Sequence, residues 1–325
     1  MTQLLVSVVM PAFNAAATVE RALRSVADQT YRPLEVLVID DASGDDTVAR
    51  VQDFAARIGT ARIGADSGLD IRVIRRDRNG GPARARNVGI DAAQGAYLAF
   101  LDADDTWMPD KTARQAACLD ADPDCVLVGC RTQPVRDDGS TRPATPVQTP
   151  HLGTEGWKGL LHESWLHTGC VMTRTALARA EKFDPALTVA EDRDLWIRLA
   201  RHGRVAFVPE QLARRYRVAD GFMNRHRARM HLDLVPLIER HVHAFRADLS
   251  GAEARRILGN TYTITGRYLH ASGADRALGR RYVWRAIRQG VRVPGNLWHL
   301  ITNSSPARGV KGRLRGRRHA GLPTA

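Results

Sequence analysis

Four short apolar runs punctuate the first hundred residues, at Leu4–Met10, Glu35–Ile39, Ile71–Ile74 and Tyr97–Leu101. Each is continuous rather than alternating, the pattern of strands buried on both faces of a parallel sheet. Apolar positions at helical spacing lie between them. Val19, Ala22, Leu23 and Val26 share one stripe, and Val48, Val51, Ala55 and Ile58 share another. Pro82, just after Gly80-Gly81, suits a first helical position. Strands alternating with helices predict an open α/β sheet, mostly parallel and flanked by helices.

The pattern then changes. Residues 131–156 are rich in Pro, Thr, Gly and Asp and read as a long loop. Cys170-Val171-Met172 is a short apolar run, and a helix is expected from about Thr175. Glu191-Asp192 leads into the amphipathic Leu195-Trp196-Ile197-Arg198-Leu199. Beyond Asp220 the pattern is helical, and 251–271 with 274–289 read as an antiparallel pair joined at Ser272-Gly273. No internal repeat is evident.

Composition sets limits on this picture. With 325 residues, 44% hydrophobic and 26% charged, the chain is long enough for two domains or one large one. No stretch approaches the roughly 20 apolar residues of a membrane span. The N-terminal run lacks a basic flank and is interrupted by Pro11 and Asn14, so it reads as a buried strand and not a signal peptide. Cys118, Cys125, Cys130 and Cys170 show no metal spacing and read as reduced thiols of a cytosolic protein. From Arg276 to Ala325 there are twelve arginines and lysines and no acid, so nearly all of the +13 net charge lies in the last fifty residues. Such an end is either a solvated tail or a contact for anionic lipid headgroups or nucleic acid.

The candidate chemistry clusters where strands end, the place where open α/β sheets bind ligands. Leu98-Ala99-Phe100-Leu101 runs into Asp102-Ala103-Asp104-Asp105. Carboxylates so close repel, and a divalent cation relieves the repulsion while keeping coordination positions for phosphate oxygens. An acidic turn before Pro109 is the plainer account. Asp40-Asp41 ends the second run and either caps the turn at Ser43-Gly44 or accepts a nucleobase N–H. Asn79-Gly80-Gly81-Pro82-Ala83-Arg84-Ala85-Arg86-Asn87 opens a helix, whose N-terminus attracts phosphate. Glu191 and Asp192 compensate a helix dipole, or supply a general base for an attacking hydroxyl. Asp194 is an alternative capping residue. Both readings fit the sequence.

Five segments taken together resemble family-2 glycosyltransferases of the GT-A fold. They are Val8–Asn14, Val38–Ser43, Gly81–Gly89, Leu101–Asp105 and Ala190–Trp196, in matching order and spacing from about Leu5 to Arg217. The resemblance implies an inverting, non-processive transferase that uses a nucleotide-diphosphate sugar and Mn2+ or Mg2+. It implies nucleotide contacts at Pro11, Ala12, Asn14, Asp40, Asp41, Asn79, Arg86 and Asp102. Asp104 would be the direct metal ligand with Asp102, and Asp192 the catalytic base. Glu191, Trp196 and Arg217 would lie on the acceptor side. Residues 1–110 would form the donor-binding half, 111–220 the acceptor half with the base, 221–290 a helical extension and 291–325 a basic tail. Family members often carry a histidine after a Tyr-Arg pair. Here Val218-Ala219-Asp220 follows Tyr216-Arg217, and the nearest candidates are His226 and His231. Gln211-Leu212-Ala213-Arg214 approaches the processive signature, but Arg215 stands where tryptophan is expected.

The leading expectation is therefore a cytoplasmic enzyme acting on a glycan or lipid-linked precursor of the cell envelope. Its basic tail would touch the inner membrane surface, and nucleic acid is not an expected partner. Alternatives are a nucleotidyltransferase, or a non-catalytic binding protein that uses the tail for nucleic acid or a partner. Donor and acceptor choice would reside in loops such as 131–156 and 218–232.

Overall fold

A computed structural model describes residues 3–59, 68–136, 138–141, 152–163, 165–216 and 226–291. Its centre is an eight-stranded sheet in the order β3-β2-β1-β4-β7-β6-β8-β5. The strands are β1 (Val6–Ala12), β2 (Leu34–Asp40), β3 (Leu69–Arg75), β4 (Tyr97–Phe100), β5 (Thr106–Trp107), β6 (Cys125–Val135), β7 (Met172–Arg174) and β8 (Arg204–Tyr216). Strands β1 to β4 are parallel, as their continuous apolar character requires. Ala12 lies opposite Asp40 and Asp40 opposite Arg75, so the ends of β1, β2 and β3 are level. Strand β7 runs against β4 and β6, and β5 runs against β8.

Helices α1 (Val19–Ala27), α2 (Thr47–Arg57), α3 (Pro82–Ala92) and α4 (Lys111–Ala121) cover the sheet, with α5 (Gly156–His162), α6 (Thr175–Glu181) and α7 (Glu191–Ala200) beside its second half. The α1 stripe is as expected: Val19, Ala22, Leu23 and Val26 are all buried. In α2 the burial centres on Val51 and Phe54, with Val48, Ala55 and Ile58 only half-buried. Pro82 is the first residue of α3, after Gly81 at φ +84°, a backbone state open to glycine and strained for other residues.

One expectation needs correcting. Residues 131–135 are not loop; they finish β6, which pairs in parallel with β8 up to Val135 opposite Tyr216. Their polar side chains hid a strand whose stability comes from the partner ladder and not from burial. Residues 137 and 142–151 lie outside the described residues. All four cysteines are free.

The last third is a helical bundle of α8 (Arg227–Ala244), α9 (Gly251–Ser272) and α10 (Arg276–Arg288). Helices α9 and α10 form the expected antiparallel pair, turned by Gly273 at φ +74°. Val235, Tyr262 and Ala286 make a small core of their own. Several polar ties fasten the bundle to the sheet domain, Arg201–Asp248 at 2.7 Å among them. Lys158 of α5 donates to Glu253 of α9 at 3.0 Å, and Arg240 and His241 of α8 reach Asp194 of α7 at 2.6 and 2.9 Å.

Candidate active site

The loops after β1 and β2 are stitched together. Asn14 donates its backbone N–H to Ser43 Oγ at 2.9 Å, and its side-chain oxygen accepts from the Gly44 N–H at 2.9 Å. Ala15 N–H reaches Thr47 Oγ1 at 2.8 Å. Asn14 and Ala42 both hold positive φ, at 49° and 63°. Strain of this kind persists only where surrounding bonds over-determine the backbone. Pro11 is half-buried in β1, and the Ala12 carbonyl accepts from Asp41 N–H at 2.8 Å.

The acidic pair at the end of β2 divides its work. Asp40 has no exposed surface and receives the Ser43 N–H at 3.3 Å. Sealed from solvent, the Asp40 carboxylate shapes this turn. Asp41 bonds Arg76 and accepts from the backbone of Gly80 (3.1 Å) and Gly81 (2.8 Å). It thereby clamps the loop that opens α3 onto the sheet. Asn79 is exposed on that loop.

Arg86, one and a half turns into α3, joins the two halves of the site. It is 4% exposed, donates through Nη2 to Asp102 at 2.8 Å and through Nη1 to Glu191 at 2.8 Å. Burial opposes its charge, but the two carboxylates and nearby Asp192 more than compensate and raise its pKa.

Asp102, Asp104 and Asp105 sit beyond β4. Asp105 is consumed structurally: it is buried, and it accepts the Tyr216 N–H at 3.0 Å, pinning the end of β8. Burial, then Asp104 and Asp102, push its pKa well above the usual carboxylate range. Asp104 is half-buried, and burial followed by the Asp102 charge pushes it up to about 6. Among the described residues no cation is bonded to the Asp104 carboxylate. Arg21 reaches its backbone carbonyl instead, at 2.7 Å, while lying 3.7 Å over the Tyr216 ring. A half-buried carboxylate beside Asp102, with Arg21 and Arg215 near it but bonded to other groups, suits a divalent ion. The described residues contain no group of three ligating side chains. A site of one or two carboxylates completed by phosphate oxygens is the arrangement Mg2+ accepts.

The base candidates start α7, just after Ala190 at φ 60°. Asp192 receives its neighbour Arg193 N–H at 2.7 Å on Oδ1 and Thr168 Oγ1–H at 3.3 Å on Oδ2. Burial raises its pKa, partly offset by Arg86, and Asp102 raises it further. Glu191 is pushed up to about 7, by burial first and against the pull of Arg86. Asp194 is not a cap. It is fully buried one turn into the helix and binds Arg198, Arg240 and His241. Trp196 has no exposed surface and packs at 5.7 Å from Phe100 and 5.9 Å from Phe183 by ring centroids, so it supports α7 from inside. Arg217 lies outside the described residues.

The structure adds members that sequence reasoning missed. His167 and Thr168 arrive on the turn before β7, and Arg215 from the end of β8. Arg215 Nη1 stands 3.0 Å from His167 Nδ1. Guanidinium only donates, so Nδ1 accepts and the imidazole proton resides on Nε2. Burial, then Arg215, lower the His167 pKa to about 4, leaving it neutral. His231 is elsewhere, stacked on Tyr268 in the bundle at 3.9 Å, and His226 precedes α8. A lone His in a Trp-Leu-His-Thr context carries no sequence signal; only the return of the chain to the sheet reveals it.

Comparison with known proteins gives the family and the fold. The family model described as glycosyl transferase family 2 matches residues 7–183. The amylovoran biosynthesis glycosyltransferase AmsB of Erwinia amylovora is 28% identical over 82% of this chain and 87% of its own length. The Escherichia coli protein named UDP-Glc:alpha-D-GlcNAc-diphosphoundecaprenol beta-1,3-glucosyltransferase WfgD is 35% identical over 37% of this chain and 42% of its own. Among solved structures, S. aureus TarS 1–349 in complex with UDP-GlcNAc superposes with a TM-score of 0.67 at 19% identity, covering 87% of this chain and 81% of that one. The mannosyltransferase PcManGT of Pyrobaculum calidifontis, solved with GDP-Man and Mn2+, gives 0.55 at 20% identity over 89% and 86%. Those likenesses establish the GT-A fold, and the match over more than half of the sequence establishes the enzyme class: the chain belongs to glycosyl transferase family 2.

Proposed function

We propose that this enzyme moves a sugar from a nucleotide-diphosphate donor to a hydroxyl of a cell-envelope glycan or lipid-linked precursor, with inversion at the anomeric carbon. The observation that supports the reading is the bridge from Asp102 through Arg86 to Glu191, which ties the acidic turn beyond β4 to the start of α7, where half-buried Asp192 is the candidate base. The names of AmsB and WfgD, both glycosyltransferases, support the acceptor class. TarS in complex with UDP-GlcNAc supports the donor class.

In this reading the Asn14–Gly44 and Asn79–Gly81 loops receive the nucleotide, with Asp41 holding the second of them. Asp104, with Asp102, holds a divalent cation, which when bound would neutralise charge on the diphosphate. Arg21 and Arg215 flank Asp104 and offer further positive charge to phosphate oxygens. Asp192 takes the proton of the acceptor hydroxyl. The oxygen then bonds the anomeric carbon as the carbon–oxygen bond to the diphosphate breaks, and the electron pair leaves with the diphosphate. Two donated hydrogen bonds fix the Asp192 carboxylate, and its raised pKa makes it a stronger base than a solvated aspartate. Donor and lipid-linked acceptor together would place the work at the cytoplasmic face of a membrane.

The test is a nucleotide-sugar panel with Mn2+ or Mg2+, scoring free nucleoside diphosphate for the native chain, Asp104→Asn and Asp192→Asn. Turnover of one donor, reduced in both variants by about 10²-fold or more, is expected. Silence on every donor, with no melting shift from any nucleoside diphosphate, overturns the reading.

A further inference from the structure

Helix α10 carries five arginines, Arg276, Arg280, Arg281, Arg285 and Arg288, and no acid. Its burial is one-sided. Gly279, Val283 and Ala286 face the bundle, while Ala277, Arg281, Trp284 and Arg288 are exposed at spacings of four, three and four residues, which is one stripe of a helix. Trp284 is 49% exposed, one of six large apolar side chains so placed among the described residues. Arg285 is engaged inward by Glu239 and Tyr262. Among the described residues, neither Arg281 nor Arg288 has an acidic partner. Of the two acids at the helix, Glu239 is engaged by Arg285, and Asp275 caps the N-terminus by accepting the Leu278 N–H at 2.8 Å.

This stripe is costly in water. Arg276 with Arg280, and Arg281 with Arg285, are like charges one turn apart, and such pairs destabilise a helix. An exposed tryptophan between arginines gains from an apolar layer beneath a polar one. A surface of negative headgroups over hydrocarbon answers both features at once. Beyond Gly290 the charged residues of the sequence are all basic.

We propose that the Arg281–Trp284–Arg288 stripe of α10 docks on an anionic phospholipid surface, with Trp284 entering the headgroup layer. The occupant is a bilayer and not nucleic acid, because the exposed stripe carries one indole while its neighbour Tyr282 is half-buried and stacked on Tyr262 at 6.0 Å, which leaves no run of exposed stacking platforms. The bundle is joined to α5 by Lys158–Glu253 and to α7 by Asp194, so docking holds the base-bearing helix at the membrane. The purpose of docking rests on the lipid-linked acceptor proposed above; docking itself does not.

The experiment uses the full chain and vesicles of phosphatidylcholine alone or with 30% phosphatidylglycerol, read by co-sedimentation. Binding to the anionic vesicles only, weakened by salt, is expected. The variant Arg281→Gln, Trp284→Ala, Arg288→Gln should bind about thirtyfold more weakly, since each arginine near such a surface contributes about fivefold. Trp284→Ala alone should lose part of that affinity even at high salt. Donor turnover without vesicles should be unchanged in every variant, because none of these residues lies at the donor site. Equal binding by native chain and triple variant overturns the proposal, as does binding to neutral vesicles alone or absence of vesicle binding. Preferential, stripe-dependent binding to RNA in competition with the anionic vesicles overturns it as well. Donor turnover, measured on the same samples, reports separately on the transferase reading.

Discussion

Arg86 and Glu191 are 105 residues apart in the chain and 2.8 Å apart in the fold. One guanidinium thus spans the loop of Asp102 and the start of α7, holding the two chemical halves of the site at a fixed separation. Arg86→Met removes both bonds and leaves Glu191 without its cation. We expect unfolding in urea to lose about 2–4 kcal/mol. Transfer should fall further than that loss of folded protein explains. Arg86→Lys retains charge but not the fork, so it should recover stability more than turnover. A Lys variant with native turnover would remove the bridge from the argument.

Acid should weaken metal dependence at Asp104. Its carboxyl is raised from 3.8 to about 6, so the fold favours the protonated form there. The metal-free protein then loses this contribution to stability as pH rises from 3.8 through 6. A cation must displace that proton, and its affinity should fall about tenfold per pH unit below 6. Thermal melts with and without Mn2+ at pH 5 and 7.5 check this; an equal Mn2+ shift at both would count against the site.

Asp194 should behave as a structural hub. Burial opposes its charge, but His241 and Arg198 bring its pKa down to about 2. Its contribution is therefore present above 3.8 and disappears as pH falls through 2. Asp194→Ala removes the acceptor of His241 and one of the two acidic partners of Arg198 and of Arg240, which keep Glu181 and Asp184, and about 3 kcal/mol should be lost. Chemical denaturation at pH 7 measures it, and a change under 1 kcal/mol would refute the hub.

The bundle depends on close approach at Gly266 and Gly279. A Cβ on Gly279 would meet the Gly266 carbonyl at 2.9 Å and the His270 backbone nitrogen at 2.9 Å. Gly279→Val should separate α9 from α10 and cost about 2 kcal/mol. Nucleoside diphosphate should still shift the remaining melting transition. Loss of that shift would mean that the bundle also shapes the donor site.

The same contrast explains what could be read in advance. The runs at Leu4, Glu35 and Tyr97 became β1, β2 and β4 because strands buried on both faces leave no polar alternation to misread, and the run at Ile71 became the edge strand β3, only partly buried. Residues 131–135 were misassigned because an edge-like polar segment owes its strand to β8, far away in sequence. Trp196 looked available because its motif is polar on one side, yet Phe100 and Phe183 close around it. Asp40 and Asp41 look alike in the sequence; one is sealed and one clamps a loop.

The sequence by itself determined the order of elements, the α/β class, the acidic clusters at strand ends and the basic final stretch, because these rest on local periodicity and on charge. Only the tertiary structure decided that Arg86 couples Asp102 to Glu191, that Thr168 bonds Asp192, that Arg215 reaches His167, and that Asp194 and Trp196 belong to the core. Those outcomes depend on contacts between segments tens of residues apart, and such contacts are set by how the packed sheet closes, which no local pattern encodes.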